Sequence, residues 1–250
     1  MAAEYSVSTD DPAKDARRRR AAEAALSEVR GGMRVGLGTG RAAAHFVRGL
    51  GALVHGGLDI RGVPTSKATA ALADEVGVPL VSEADGVGAD LVDLVVDGAD
   101  EIDRRLRMIK GGGGALLREK IVATSAKRVV VVAEEEKLVE RLGAFPLPIE
   151  IVRFGAEQTC ERIVRAAAAL GLAADVRLRG GESGPFVTDG GNHVVDVVVG
   201  EVPDPGALAT ALDAITGVVE HGLFLGLAAV AYLGTDRGVA VLSAEPQRPA

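Results

Sequence analysis

From residue 33 to residue 134 the chain alternates short β-branched runs with alanine-rich stretches in which apolar positions recur at helical spacing. "MRVGLG" (33–38), "LDIRGVP" (58–64), "DLVDLVVDGAD" (90–100) and "RVVVVA" (128–133) predict strands, and 41–53, 66–76 and 114–125 predict helices between them. "RVVVVA" shows no polar alternation, as expected of a buried strand. Strands alternating with helices predict a parallel, doubly wound sheet. Upstream, a helix is expected to start with Asp10 or Asp11 as N-cap and Pro12 in its first turn, and to run to about Arg30 before Gly31-Gly32 stops it. Its four consecutive arginines, Arg17 to Arg20, read as a solvated face. Residues 1–9 lack an apolar period and read as a disordered tail.

After "FPLPIE" (145–150) the rhythm changes, and Pro146 and Pro148 mark a domain boundary. A strand at 149–154, a helix at 156–170, strands at 174–179 and through "NHVVDVVV" (192–199), a helix at 205–215 and a strand at "GVVEHGLF" (217–224) follow. The order βαββαβ is the ferredoxin-like pattern. "AAVAYLG" (228–234) and "GVAVL" (238–242) return to the first unit, and the end after Ala244 should fray. The expected fold class is therefore α/β: a Rossmann-like, mostly parallel domain over 1–146 and 225–250, with a smaller ferredoxin-like α+β domain over 147–224. No repeat of 20 to 50 residues interrupts this division.

Composition narrows the function classes. The 250 residues can bury a sizeable core, and 48% hydrophobic with 25% charged residues is ordinary for a soluble globular protein. A net charge of -7 argues against nucleic acid as the main partner, yet permits an anionic small molecule, because a local pocket need not share the global sign. A single cysteine, Cys160, excludes an intramolecular disulfide and points to a reducing compartment. Without an apolar run near 18 residues or a signal-peptide pattern, a cytoplasmic location and no membrane partner are expected. His45, His55, His193 and His221 lack ligand-like spacing, so no metal site is predicted from them.

Ligands of open α/β sheets bind at the carboxyl ends of the strands. These ends read "GLGTGR", "VPTS", "DGADEID" and "AEEEK". The first lacks the third glycine of a dinucleotide loop, since Arg41 holds that position, and it lacks the G-K-[ST] of a P-loop. It suits a monophosphate held by backbone N–H groups, the helix N-terminus and the Thr39 hydroxyl, or it is simply a tight turn. "DGADEID" gathers Asp97, Asp100, Glu101 and Asp103, which fit a magnesium site, a set of acceptors for sugar hydroxyls, or an acidic turn. Lys110 favours the hydroxyls, because its ammonium would compete with a metal.

"MIKGGGGALLREKIVA" (108–123) sets four glycines before a predicted helix, where a flexible loop or a backbone approaching a ligand would accept their entropic cost. At 3.6 residues per turn Glu119 shares a face with Ala115, Leu116, Val122 and Ala123. A carboxyl in an apolar stripe has a raised pKa, which suits a general base that later returns the proton; a salt-bridged structural glutamate is the alternative. The glycine N–H groups would face an anion without obstruction. Lys137 reads as a ligand or as an exposed lysine, and Asp189 and Asn192 in "TDGGN" form a hairpin turn.

Taken in order and spacing, "GLGTG", "PTS", "DGADEID", "KGGGGALLREK", "AEEEK", "FPLPIE", "GN-x-x-x-D" and "GLF" resemble the type A ribose 5-phosphate isomerase family, over roughly residues 15 to 240. The resemblance implies cofactor-free interconversion of D-ribose 5-phosphate and D-ribulose 5-phosphate, in the pentose phosphate and Calvin routes, by a homodimer or homotetramer. It puts the family's proton-accepting glutamate on Glu119. Substrate-binding segments fall on Thr39, Gly40, Arg41 and Ala42, on Asp97, Gly98, Ala99 and Asp100, and on Lys110, Gly111, Gly112 and Gly113, with Ser66 and Lys137 in addition. Proton transfer would pass through a cis-enediolate stabilised by Lys110 and the glycine N–H groups, after ring opening helped by Asp97 or Asp100. Two departures stand out: Arg41 replaces the family's usual serine, and "RGGESGPFV" is longer than its usual counterpart. A non-catalytic sugar-phosphate sensor and a metal-dependent phosphohydrolase built on the acidic cluster are the competing readings.

Overall fold

Asp11 caps the first helix of the computed structural model, its carboxylate accepting from the Ala13 N–H at 3.0 Å, with Pro12 beginning α1 (Pro12–Ala25). The structure describes residues 11–81, 92–181 and 184–243; the expected tail over 1–9, the alternative cap Asp10 and the fraying end after Ala244 lie outside them. From α1 the chain runs through β1 (Arg34–Leu37), α2 (Arg41–His55), β2 (Arg61–Pro64), α3 (Lys67–Glu75), β3 (Leu94–Asp97), β4 (Glu101–Asp103), β5 (Met108–Ile109), α4 (Leu116–Thr124), β6 (Val129–Glu134) and β7 (Leu138–Val139). It continues with β8 (Leu147–Ile151), α5 (Ala156–Ala169), β9 (Asp175–Leu178), β10 (Gly180–Gly181), β11 (Gly184–Pro185), β12 (His193–Val198), α6 (Pro205–Asp213), β13 (Val218–His221), β14 (Leu223–Phe224), β15 (Ala228–Thr235) and β16 (Gly238–Ser243).

Six strands form the main sheet in the order β16-β15-β6-β3-β1-β2, all pairs parallel except the β15–β16 edge. Its inner strands are apolar except at end positions such as Arg34, Asp97 and Glu134, because both faces are covered. Leu94, Val96, Val130 and Val132 pack with Ala21, Ala22, Ala25, Phe46 and Leu50 of α1 and α2. The alternate residues Val95, Val129 and Val131 pack with Val122 and Ala123 of α4. The doubly wound expectation thus holds, and β15 and β16 return to this sheet.

The second sheet is antiparallel, in the order β13-β8-β12-β9, built by a βαββαβ run as in ferredoxin-like folds. Ile163, Leu208 and Leu212 of α5 and α6 close its apolar core against Leu147, Ile149 and Val195. Its first strand spans Leu147–Ile151 rather than 149–154. Pro148 is accommodated inside it, paired opposite Asp196, while its carbonyl accepts from Gly222 N–H at 2.8 Å.

Three further expectations fail. The arginine run is not a solvated face: α1 lies across β6 and β15, where Arg18 is 5% exposed and Arg20 donates to the Thr235 carbonyl at 2.8 Å. Helix α1 stops at Ala25, giving way to a 3₁₀ turn over Leu26–Glu28. "GVVEHGLF" is two strands, not one. At Gly222 the backbone passes so close to Lys110 that a Cβ would stand 2.2 Å from its carbonyl oxygen, and β14 leaves for a third, small sheet, β14-β5-β4-β7.

Candidate active site

Progression along the main sheet reverses beside β1: β2 pairs on one side of it and β3 on the other, which opens a crevice at the carboxyl ends of β1 and β3. The two ends are tightly apposed. A Cβ on Gly38 would lie 2.2 Å from Asp97 Oδ1, so glycine alone fits. Asp97 Oδ1 accepts from the N–H groups of Thr39 (3.1 Å) and Gly98 (2.7 Å). Its Oδ2 stands 3.0 Å from Lys110 Nζ.

Lys110 reaches this point from the end of β5. Its ammonium donates to the Gly98 carbonyl at 2.7 Å and lies 3.4 Å from Glu119 Oε2. Glu119 is brought by α4, on the buried stripe with Leu116, Val122 and Ala123, as its spacing predicts. Lys110 and Glu119 are 5% and 4% exposed, so three charged groups share a space screened from water. Burial pushes the Glu119 carboxyl up to about 8, against the pull of Lys110 and with help from Asp97 and Asp100. Burial would lower Lys110, but the facing carboxylates Asp97 and Glu119 reverse this and raise it. Asp97 is likewise raised by burial, opposed by Lys110 and by its two backbone donors. Asp97 accepts those bonds while Glu119 Oε2 accepts none, so Asp97 is the better stabilised of the two as an anion.

Lys110 and Glu119 border one cavity. Thr39, Gly40, Arg41, Ala42, Gly98, Ala99, Asp100, Lys110, Gly111, Gly112, Gly113, Glu119 and Lys137 all line it. Asp97 and Ser66 stand behind the wall. Ser66 caps α3 by accepting from Thr69 N–H at 3.1 Å, and its hydroxyl also accepts from Thr39 Oγ1 at 2.9 Å. Gly40, the N-cap of α2, offers no side-chain cap, so the first-turn N–H groups point to the cavity end. Lys137, in a 3₁₀ turn after β6, is half-buried with its Nζ 5.8 Å from the Phe145 ring centre.

Arg18, Val132 and Glu134 also line the cavity, and the sequence reading passed over them. Arg18 donates to both Glu134 oxygens, at 3.1 and 2.7 Å. Helical spacing carried the signal: Arg18 stands three, four and seven residues before the buried Ala21, Ala22 and Ala25.

The acidic cluster disperses. Asp100 accepts from Gly112 N–H at 2.7 Å, Glu101 from Gly143 N–H at 2.7 Å, and Asp103 from Arg107 Nε at 2.6 Å. Among the described residues, the one grouping with metal-ligand proximity is Asp213, Glu220 and His221. There Lys120 Nζ already sits 2.6 Å from Glu220 Oε1, and burial followed by Lys120 lowers the His221 pKa. "TDGGN" makes the expected turn, with Thr188 N–H donating to the Asn192 carbonyl at 3.0 Å, and Asp189 reaches across to the Lys67 N–H at 2.8 Å. In "RGGESGPFV", residues 182 and 183 lie outside the described residues.

The sequence profile of ribose 5-phosphate isomerase A (phosphoriboisomerase A) matches residues 61–238. Ribose-5-phosphate isomerase A of Rhodopseudomonas palustris (strain BisA53) is 50% identical over 237 residues, covering 94% of this chain and 95% of its own. That of Caulobacter vibrioides (strain NA1000 / CB15N) is 54% identical over 225 residues, covering 90% and 96%. Among solved structures, ribose 5-phosphate isomerase from Plasmodium falciparum superposes with a TM-score of 0.83 at 34% identity, covering 92% of this chain and 98% of its own. A D-ribose-5-phosphate isomerase in complex with phospho-erythronic acid superposes with a TM-score of 0.81 at 36% identity, covering 91% and 97%. With its profile match spanning most of the length and its relatives aligned nearly end to end, the chain belongs to the ribose 5-phosphate isomerase A family.

Proposed function

We propose that this protein interconverts D-ribose 5-phosphate and D-ribulose 5-phosphate, with Glu119 moving one proton between C2 and C1 through a cis-enediolate. The observation that carries the reading is the Glu119 carboxyl: buried, raised to about 8, and bordering a cavity that Gly111, Gly112 and Gly113 also line. Such a group takes a proton from carbon and keeps it for return, because neither of its states is strongly favoured near neutral pH.

The phosphate sits at the N-terminus of α2, over Thr39, Gly40, Arg41 and Ala42, with Arg18 and Lys137 bordering the same cavity. Asp100 is the better placed of the two aspartates to assist ring opening, since it lines the cavity and Asp97 does not. Asp97 instead holds Lys110. Glu119 then removes the C2 proton, and the C2–H electron pair forms the C1–C2 double bond while the carbonyl electrons move onto O1. Lys110 and the Gly113 N–H stabilise that oxyanion, each such donor being worth about 3 kcal/mol of barrier. A proton passes from O2 to O1, and Glu119 delivers its own to C1, giving the ketose. The transfer requires no redox partner.

The dispersal of the acidic cluster speaks against the phosphohydrolase reading, and the buried base against a passive sensor. A homo-oligomer and a cytoplasmic setting accompany the same reading; among the described residues no helix is long and apolar enough to cross a membrane. The test is turnover of ribose 5-phosphate by the purified protein in EDTA, followed as ketose. Glu119→Gln is expected to lose at least about a hundredfold in kcat while remaining folded. Release of inorganic phosphate, or full activity of that variant, would refute the assignment.

A further inference from the structure

The glycine run is held from outside its own sheet. Arg179, the residue after edge strand β9, donates from Nη1 to the carbonyls of Gly111 (2.9 Å) and Gly112 (3.1 Å). Its guanidinium is fixed in turn by Asp196 of β12, which accepts from Nε at 2.8 Å and from Nη2. The Phe186 ring lies 5.8 Å from the guanidinium carbon and presses on Gly114, where a Cβ would stand 2.4 Å from the ring.

A trans peptide points its C=O and its N–H to opposite sides. The peptide joining Gly111 to Gly112 is therefore tied at both ends: its carbonyl to Arg179, and its N–H to Asp100 Oδ2 at 2.7 Å. The next peptide has its carbonyl on the same Arg179 nitrogen, which turns the Gly113 N–H away from Arg179, and Gly113 lines the cavity. The Gly111 carbonyl also accepts from Gly114 N–H at 2.9 Å, so this turn and Arg179 together give a run with little intrinsic preference for one conformation a single orientation, and with it Asp100 is held against the loop.

We propose that Arg179 is a positioning residue for the isomerisation: gripped by Asp196, it aims the Gly113 N–H at the enediolate and sets Asp100 against the loop. This rests on the function proposed above and adds a residue of the second sheet that touches no reacting atom. Its effect belongs to the transition state, where charge develops on the sugar oxygens, more than to capture of the phosphate at α2.

The experiment compares wild type, Arg179→Met and Arg179→Lys for kcat and KM with ribose 5-phosphate, and for inhibition by phospho-erythronic acid and by inorganic phosphate. The carboxylate of phospho-erythronic acid stands in for the enediolate oxygens. Arg179→Met is expected to lose about tenfold to a hundredfold in kcat, as for a loop misplaced by about 1 Å, with KM changed less than about threefold. Phospho-erythronic acid should weaken about tenfold and phosphate less than about twofold, and Arg179→Lys should recover part of kcat. Asp196→Asn, which releases the guanidinium but leaves it in place, should shift the same inhibitor ratio, and it decides the matter should Arg179→Met not fold. Equal weakening of both inhibitors, or folded variants with wild-type kcat, overturns the clamp. A wild type that does not turn over ribose 5-phosphate sinks the proposed function instead.

Discussion

Lys110 Nζ stands 3.4 Å from Glu119 Oε2, an oxygen that accepts no hydrogen bond from any described residue. The ammonium lies nearer to Asp97, at 3.0 Å, an asymmetry that favours Glu119 as the proton-exchanging member in the proposed reaction. The apparent pKa of the exchange belongs to the three groups together.

Rate should follow this exchange. A base must be ionised, and burial pushes the Glu119 carboxyl up to about 8. The expected outcome is that kcat/KM for ribose 5-phosphate falls as pH drops below about 8, with a slope of one proton. A pH–rate profile checks it, and a profile flat from pH 6 to 9 would contradict the assigned base.

Stability should move the other way. The folded pKa of Glu119 lies above its ordinary 4.5, so the native state holds a proton that the unfolded chain releases between about pH 4.5 and about 8. That contribution is complete below the unfolded value and is lost as pH rises through the folded one, at up to about 1.4 kcal/mol per pH unit. Glu119→Gln keeps the neutral form, so its Tm should gain on wild type progressively from pH 5 to pH 8. Parallel melting curves across that range would count against the buried proton.

The Arg18–Glu134 pair is buried, with both side chains 6% exposed. Glu134→Met removes the carboxylate to which Arg18 Nε and Nη2 both donate, and is expected to cost about 3 kcal/mol in denaturant unfolding. Changing both Arg18 and Glu134 to Met should restore much of this stability while weakening substrate binding, because Arg18 borders the cavity. Additive losses in the double variant would show that the pair acts otherwise.

Gly38 touches Asp97 where a Cβ would overlap the carboxylate. Gly38→Ala should therefore destabilise by about 1 to 3 kcal/mol, as overpacking does, and should lower kcat by shifting Asp97 and the lysine it holds. Urea unfolding and steady-state kinetics read the two effects separately.

Some of this was legible without coordinates. The apolar stripe that includes Glu119, the Asp11 cap, the unbroken "RVVVVA" strand and the glycines at the strand ends follow from local spacing, since helix and strand periods are properties of consecutive residues. The third sheet was not legible, because strands of two or three residues such as β5 and β14 are too short to show a period. Nor was the burial of Arg18, although its register with Ala21, Ala22 and Ala25 pointed inward, because a run of arginines looks solvated until the surface beneath its helix is known.

The sequence by itself determined which groups with which chemistry exist: a carboxyl within an apolar stripe, a lysine beside four glycines, and a glycine-rich turn leading into a helix. Only the tertiary structure decided their relations. It drew Asp97, Lys110 and Glu119 within 3.4 Å contacts and brought Arg179 onto the glycine carbonyls from 67 and 68 residues away. The reason is physical: hydrogen bonds and charges act through distance in space, and the fold sets that distance by burying apolar faces that carry no record of which polar groups will meet.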